Sequence, residues 1–192
     1  MEVFRGIRFL KNVKSSGCGQ KGMDVLQAIR TKLEVKEYDQ RPVPENVVRD
    51  VLEAARMSHT GLNSQHWRFI VVDSREDLRE LAEISRTGKW VAGCSFAVIV
   101  LTNPQYPWHE LDAGRAVSYM QLAAWNSGVA SRIYTGYNDE AMRKKFNIPD
   151  ELHIACVIGF GYPARKILGR KNRAPIESIA YRGKMGVPYR LQ

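Results

Sequence analysis

Apolar residues recur along the chain in two periods, near 3.6 and near 2, and the switches between them mark out helices and strands. Asp24 is placed to cap a short helix carrying Val25, Leu26 and Ile29 on its apolar side. Pro44-Glu45 opens a second helix whose apolar positions are Val47, Val48, Val51, Leu52 and Ala55. A strand is predicted at Arg68 to Asp73, a helix near Arg75 to Ser85, and a strand at Ser95 to Thr102. A long apolar helix follows near Asp112 to Ser127, with Met120 and Leu122 inside it, and stops at Gly128. A short strand near Ala130 to Tyr134, a helix near Asp139 to Phe146 and a β-rich run from His153 to Gly161 complete the pattern. From Lys166 onward the chain is basic and its periodicity fades.

The order of these elements is mixed rather than strictly alternating, and no G-x-G-x-x-G loop follows a strand, which argues against a doubly wound dinucleotide-binding domain. Gly159-Phe160-Gly161-Tyr162-Pro163 ends the last strand with turn residues and misses that spacing. The pattern points to an α+β sandwich. At 192 residues one compact domain is the default. Residues 1–22 end in Ser15-Ser16-Gly17-Cys18-Gly19-Gln20-Lys21-Gly22, a turn-rich composition that reads as a flexible basic extension, with the fold occupying residues 23–192.

Composition narrows the function classes. Hydrophobic content of 44% and charged content of 26% belong to a soluble globular protein. The longest apolar runs, Phe96 to Leu101 and Ile154 to Phe160, fall far short of the roughly 20 residues that span a bilayer, so no membrane partner is expected. Cys18, Cys94 and Cys156 are widely spaced and form no C-x-x-C pair. This suits a reducing, cytoplasmic setting without disulfides. His59 and His66 lie seven residues apart across a glycine-containing loop, which matches no common ligand spacing, and no protein-bound metal is expected. The net charge of +9 favours an anionic ligand or a nucleic acid in general terms. The basic first segment has only Phe4 and Phe9 as aromatics and no recognised nucleic-acid motif, which makes a nucleic-acid binder the remote reading.

Three segments carry candidate chemistry. The loop Thr60-Gly61-Leu62-Asn63-Ser64-Gln65-His66-Trp67 offers backbone freedom at Gly61, paired amide donors and acceptors at Asn63 and Gln65, and a flat apolar anchor at Trp67. Such a loop suits a flat, hydrogen-bonding heterocycle; it equally suits an ordinary helix-to-strand connection whose amides cap backbone groups. The segment Lys32-Leu33-Glu34-Val35-Lys36-Glu37-Tyr38 and the segment Lys171-Asn172-Arg173 each offer cations to a phosphate, or stand as solvated basic surface.

Read in order, these segments, with Ala55-Arg56, Ala123-Ala124 before Gly128, and the Gly159-Phe160-Gly161-Tyr162-Pro163 turn, resemble the nitroreductase family over roughly residues 23 to 181. The resemblance implies a three-layer sandwich with a mainly antiparallel central sheet between helices. It further implies an intertwined homodimer in which Tyr181 to Gln192 embraces the other subunit. The implied cofactor is FMN, with NAD(P)H as electron donor and flavin N5 as the relay to a nitroaromatic, quinone, enone or similar acceptor, in a ping-pong sequence. Dehalogenation, flavin fragmentation or heterocycle oxidation on the same fold is the alternative.

By correspondence with the family's motifs, Lys32 and Lys36 meet the flavin phosphate and the pyrimidine side of the ring, and Lys171 and Arg173 meet the phosphate. Thr60, Asn63 and Gln65 face the ring edge, and Thr135 and Gly136 bring a backbone amide to N5. The resemblance demands no catalytic acid, base or nucleophile. Four residues depart from the family's pattern. Leu33 and Glu34 stand where basic or polar residues and a serine are usual, so Glu34 is expected either to turn toward a nearby lysine or to alter the phosphate site. His59 and His66 replace prolines, which predicts a less rigid loop.

Overall fold

The computed structural model describes residues 23–190, so the extension expected over residues 1–22 lies outside the described residues, as do Leu191 and Gln192. The order is α1 (Val25–Thr31), α2 (Glu45–Arg56), β1 (Arg68–Val72), α3 (Arg75–Ile84), β2 (Phe96–Thr102), α4 (His109–Asn126), β3 (Ala130–Tyr134), α5 (Asp139–Phe146) and β4 (His153–Gly161). These match the predicted elements to within about a residue at each end, with one boundary displaced further. Helix α4 begins at His109 rather than Asp112, because its first turn is polar and half-exposed and lacks the apolar spacing that marks the rest.

The four strands form one antiparallel sheet in the order β1-β2-β4-β3. Helices cover both faces, making three layers. On one face α2 and α4 press Val51, Ala55, Ala116 and Met120 onto Val98, Val100, Ile158 and Phe160. On the other, α3 and α5 press Leu78, Leu81 and Met142 onto Ala97, Ile99 and Val157. With both faces covered, every residue of β2 is buried, which explains its uninterrupted apolar run. The sheet continues past β3 through Glu34, which bridges Ser131, and Val35, whose N–H donates to the Ser131 carbonyl at 3.2 Å.

Local chemistry sets the ends. Asp24 caps α1 by accepting from Leu26 N, as its position predicts. Gly128, at φ 73°, terminates α4 in the left-handed conformation that glycine adopts without penalty. The predicted apolar side of α1 is not buried: Val25, Leu26 and Ile29 are all exposed. Leu111 and Tyr119 on α4, and Ile179 and Met185 in the final segment, are exposed as well. No helix among the described residues is long and apolar enough to cross a membrane.

Candidate functional site

Where α1 ends, the chain turns outward along β3 and the late segment folds back against it. Lys171 Nζ donates to the Ile29 carbonyl in the last turn of α1. The juxtaposition forms a cleft of about 610 Å³ lined by Lys32, Glu34, Gln121, Arg170, Lys171 and Arg173, among others. Two predicted cation segments, 139 positions apart at Lys32 and Lys171, thus meet in one place, and Arg170, which the motif correspondence left out, joins them. Lys32 is the most enclosed of the group, with a side chain only 10% exposed. Burial pulls its ammonium below the ordinary lysine value, Glu34 opposes that shift, and Lys171 and Arg132 add to it.

Glu34 takes the first of the two courses open to it and turns toward a lysine. Its carboxylate pairs with Lys32 and accepts from Gln121 Nε2 at 3.1 Å and from the Ile133 backbone N–H at 3.2 Å. One acid therefore ties α1, α4 and the edge of β3 together. Lys36 lies outside this cleft, exposed in a smaller adjoining recess of about 190 Å³ with Glu34, Glu37 and Arg165.

A second cleft, of about 330 Å³, opens farther along the same surface, lined by Glu110, Gly114, Val117, Ile133, Thr135 and His153 among others. Gly114, Val117 and Gln121 share one face of α4, because steps of three, four or seven residues return close to the same direction on a helix. Gly114 and Gln121 are separated by about 10 Å along the axis at 1.5 Å per residue. Ser131 and Ile133 on β3, and Thr135 just past its end, alternate in the same sense. A cation-rich end and a mainly apolar end are thus connected by one helix face and one strand edge.

Gly136 packs closely against the connection between α3 and β2. A Cβ there would lie 2.5 Å from Thr87 Oγ1, and its carbonyl accepts from Arg86 N at 2.7 Å, Thr87 N at 3.2 Å and Ser85 Oγ at 3.2 Å. The missing side chain therefore makes room for the α3-to-β2 connection.

The loop of residues 60–67 is built tightly. Leu62, Asn63 and Gln65 all have positive φ, between 46° and 53°, an unfavourable conformation for residues with a Cβ. Thr60 is buried and spends its polar groups inside the loop: Oγ1 accepts from Gln65 N at 3.0 Å and the carbonyl from Asn63 N at 3.1 Å. The Asn63 and Gln65 side chains are exposed. Beneath them Asp112, fully buried, accepts from Gly61 N at 3.0 Å, bonds His66 Nε2 at 3.2 Å and accepts from Arg115 at 3.0 Å. His66 Nδ1 accepts from Asn103 N at 3.3 Å, which assigns the ring proton to Nε2, facing the carboxylate. The ring also stacks on Tyr106 at 4.9 Å.

The loosening expected from two lost prolines is therefore offset at His66, which is a buried anchor, while His59 is exposed. Asp112 carried no assigned role from sequence, where it stood at the expected start of the helix; the structure places it one turn in and fully buried. Asp112 and Gln121 are nine residues apart, about half a turn out of phase and about 13 Å apart along α4. Within one chain, then, the loop carrying Asn63 and Gln65 and the cleft holding Lys32, Lys171 and Arg173 lie on opposite sides of that helix.

Comparisons with known proteins agree with this architecture. The profile of the nitroreductase family matches residues 29–95 and 86–162. A protein of Methanothermobacter thermautotrophicus, provisionally named an NADH dehydrogenase/NAD(P)H nitroreductase, is 32% identical over 152 residues, covering 74% of this chain and 78% of the relative. The crystal structure of a protein of the same provisional name from Bacteroides thetaiotaomicron superposes with a TM-score of 0.76 at 27% identity, covering 81% of this chain and 95% of that one. An FMN-dependent nitroreductase from Clostridium difficile shares the fold, with a TM-score of 0.77 at 19% identity, covering 83% of this chain and 99% of that one.

Proposed function

Because the chain belongs to the nitroreductase family, we propose that it is a homodimeric, FMN-dependent oxidoreductase that passes electrons from NAD(P)H to a small nitroaromatic, quinone or enone acceptor. The observation that carries this reading is the continuous surface along α4 and β3, with cations at one end and a mainly apolar slot about 10 Å away. FMN has that polarity: a phosphate, a flexible polyol chain and a flat ring.

The residues present fit the group. Lys32, Arg170, Lys171 and Arg173 bring four cations against the single acid Glu34 lining the cleft among the described residues, a donor set suited to a phosphate. The guanidinium of Arg173 bonds the Asn172 carbonyl at 2.8 Å and the ammonium of Lys171 a backbone carbonyl, so both retain donors for a ligand. Val117 and Ile133 offer apolar contact for a ring, and Thr135 sits beside them. Lys36, one recess away, is assigned to the pyrimidine side, where a cation favours the charge that develops on reduction.

When bound, FMN supplies the redox chemistry, taking hydride from a reduced nicotinamide and returning it to an acceptor. The protein positions the reactants. A single open slot suits donor and acceptor occupying the same place in turn, which is the basis for a two-step, ping-pong sequence.

Asn63 and Gln65 cannot serve the cleft of their own chain from the far side of α4, so we assign them to the site of a second copy. Exposed Val25, Leu26 and Ile29 on α1, with Leu111 and Tyr119 on α4, support a partner on these faces. Tyr181, Met185, Val187 and Tyr189 in the final segment are also exposed and would lie against it. Purified protein should be yellow, dimeric by light scattering, and release FMN on denaturation. Anaerobic NADH or NADPH should bleach it. Protein that neither contains flavin nor binds added FMN would overturn the reading.

A further inference from the structure

We infer that Glu34 is a specificity-determining residue that competes with a ligand's phosphate for Lys32, so this chain holds a phosphorylated flavin less tightly than its cations alone would give. The inference rests on the FMN reading above and adds to it the residue that sets the strength of the phosphate contact.

The cleft contains one carboxylate among the described residues, and that carboxylate engages three donors that line or border the ligand surface: Lys32 Nζ, Gln121 Nε2 and the Ile133 N–H. Gln121 is itself shared, donating also to Ser131 Oγ at 3.2 Å. Lys171 and Arg173 differ. Their hydrogen bonds are to neutral backbone carbonyls, which a phosphate can displace without separating opposite charges. Lys32 is the cation whose charge is already balanced.

Lys32 is also the least able to reach elsewhere. With its side chain 10% exposed and its backbone fixed at the C-terminus of α1, it meets an incoming phosphate with Glu34 still beside it, part of its charge already spent on that carboxylate. Glu34 in turn cannot leave cheaply, because its other oxygen satisfies Ile133 N on the strand edge. A bound dianion therefore meets a carboxylate held on the floor of its own site. At a part-exposed position that repulsion is weakened by solvent but not abolished. A serine there would neither repel the phosphate nor occupy the lysine.

The test compares FMN with riboflavin, which carries the same ring and polyol chain but no phosphate. Apoprotein of the wild type and of Glu34→Gln is titrated with each flavin, following quenching of flavin fluorescence. Glutamine keeps the shape and still accepts from Ile133 N. FMN is expected to bind the variant about 10-fold more tightly, equivalent to about 1.4 kcal/mol, with riboflavin affinity unchanged. Raising the salt concentration should narrow the gap. Glu34→Ser is expected to shift FMN in the same direction, which guards against an effect peculiar to the glutamine amide. Equal tightening of both flavins would overturn the inference, because the effect would then lie with the ring or the fold. Unchanged or weakened FMN binding would also overturn it and would make Glu34 a supporting counter-ion for Lys32. Wild-type protein that binds riboflavin and FMN equally well refutes the phosphate site itself; protein that binds neither refutes the flavin reading beneath it.

Discussion

Replacing Asp112 by alanine should destabilise the chain strongly by undoing the anchor of the loop of residues 60–67. The carboxylate is fully buried and accepts from three donors, Gly61 N, His66 Nε2 and Arg115. Arg115 is 44% exposed and can turn to water, so its share is small, about 0–1 kcal/mol. Gly61 N and the His66 ring cannot. Removing a buried charged partner from such groups costs about 3–5 kcal/mol, most of it from the donors left behind. Asparagine keeps one carbonyl oxygen for Gly61 and His66 but turns an amide N–H₂ toward Arg115, and should cost about 1–3 kcal/mol. At about 2–4 °C per kcal/mol for a chain of this size, Asp112→Ala should lower Tm by roughly 6–20 °C. Urea unfolding at fixed protein concentration and without added flavin checks the figure, since any ligand or second copy bound to the native state would add to the measured stability. FMN affinity should fall in Asp112→Asn as well, because the same oxygen holds a loop with three residues at positive φ. An Asp112→Ala protein within about 1 kcal/mol of wild type would refute the anchor, as would an asparagine variant as damaged as the alanine one.

Other consequences can be measured separately. Lys171→Ala combined with Arg173→Ala should weaken FMN binding by about 100-fold or more, since each charge-assisted bond is worth about 1.5–3 kcal/mol; unchanged affinity in a fluorescence titration would remove both residues from the phosphate site. Gly61→Ala places a Cβ 2.2 Å from Trp108 Nε1 and should cost about 1–3 kcal/mol by thermal unfolding, with no loss expected if the indole were free to swing away. Burial pushes the Cys156 thiol and the Tyr137 phenol up to about 12. Both groups therefore favour the native state below their ordinary values, near pH 9 and pH 10, and this advantage drains as pH rises toward about 12, where the unfolded chain has lost protons that the native one keeps. Cys156→Ala and Tyr137→Phe should each flatten the alkaline fall in stability, and slopes identical to wild type would refute these shifts.

Elements with sustained periodicity were legible from the chain alone. The bounds of β3, α5 and β4 follow the apolar pattern because each is cut off by turn or capping residues, such as Asn138, which accepts from Ala141 N at the start of α5. The first turn of α4 was not legible, since His109 to Leu111 is half-exposed or exposed and contributes nothing to the apolar stripe. At the candidate site, Lys32, Lys171 and Arg173 stood out as cations, but only resemblance could bring them together across 139 positions. The use of Gly136 was hidden for a related reason: Thr87, which fills its empty side, lies 49 residues earlier and carries no motif. His66 reads as a lost proline when taken alone and as a buried anchor once Asp112 and Asn103 are beneath it.

Helix geometry adds a constraint once the structure places both the loop and the cleft against α4. If the loop of residues 60–67 rests on Asp112 and the phosphate cleft on Gln121, both on α4, a nine-residue separation turns them to opposite faces. No rearrangement of side chains brings them together, because Asn63 and Gln65 would have to pass around a helix whose other positions pack on the sheet. Thus the resemblance, which gives both groups to one flavin, and the helix, which separates them in one chain, are compatible only if two chains complete each site. A second copy seated there would also cover the exposed apolar residues of α1 and the exposed Leu111 and Tyr119 of α4. On this argument dimerisation and cofactor retention are coupled: charged substitutions such as Tyr119→Glu should release FMN as they dissociate the pair, and a monomeric variant that still held FMN with wild-type affinity would break the chain of reasoning at α4.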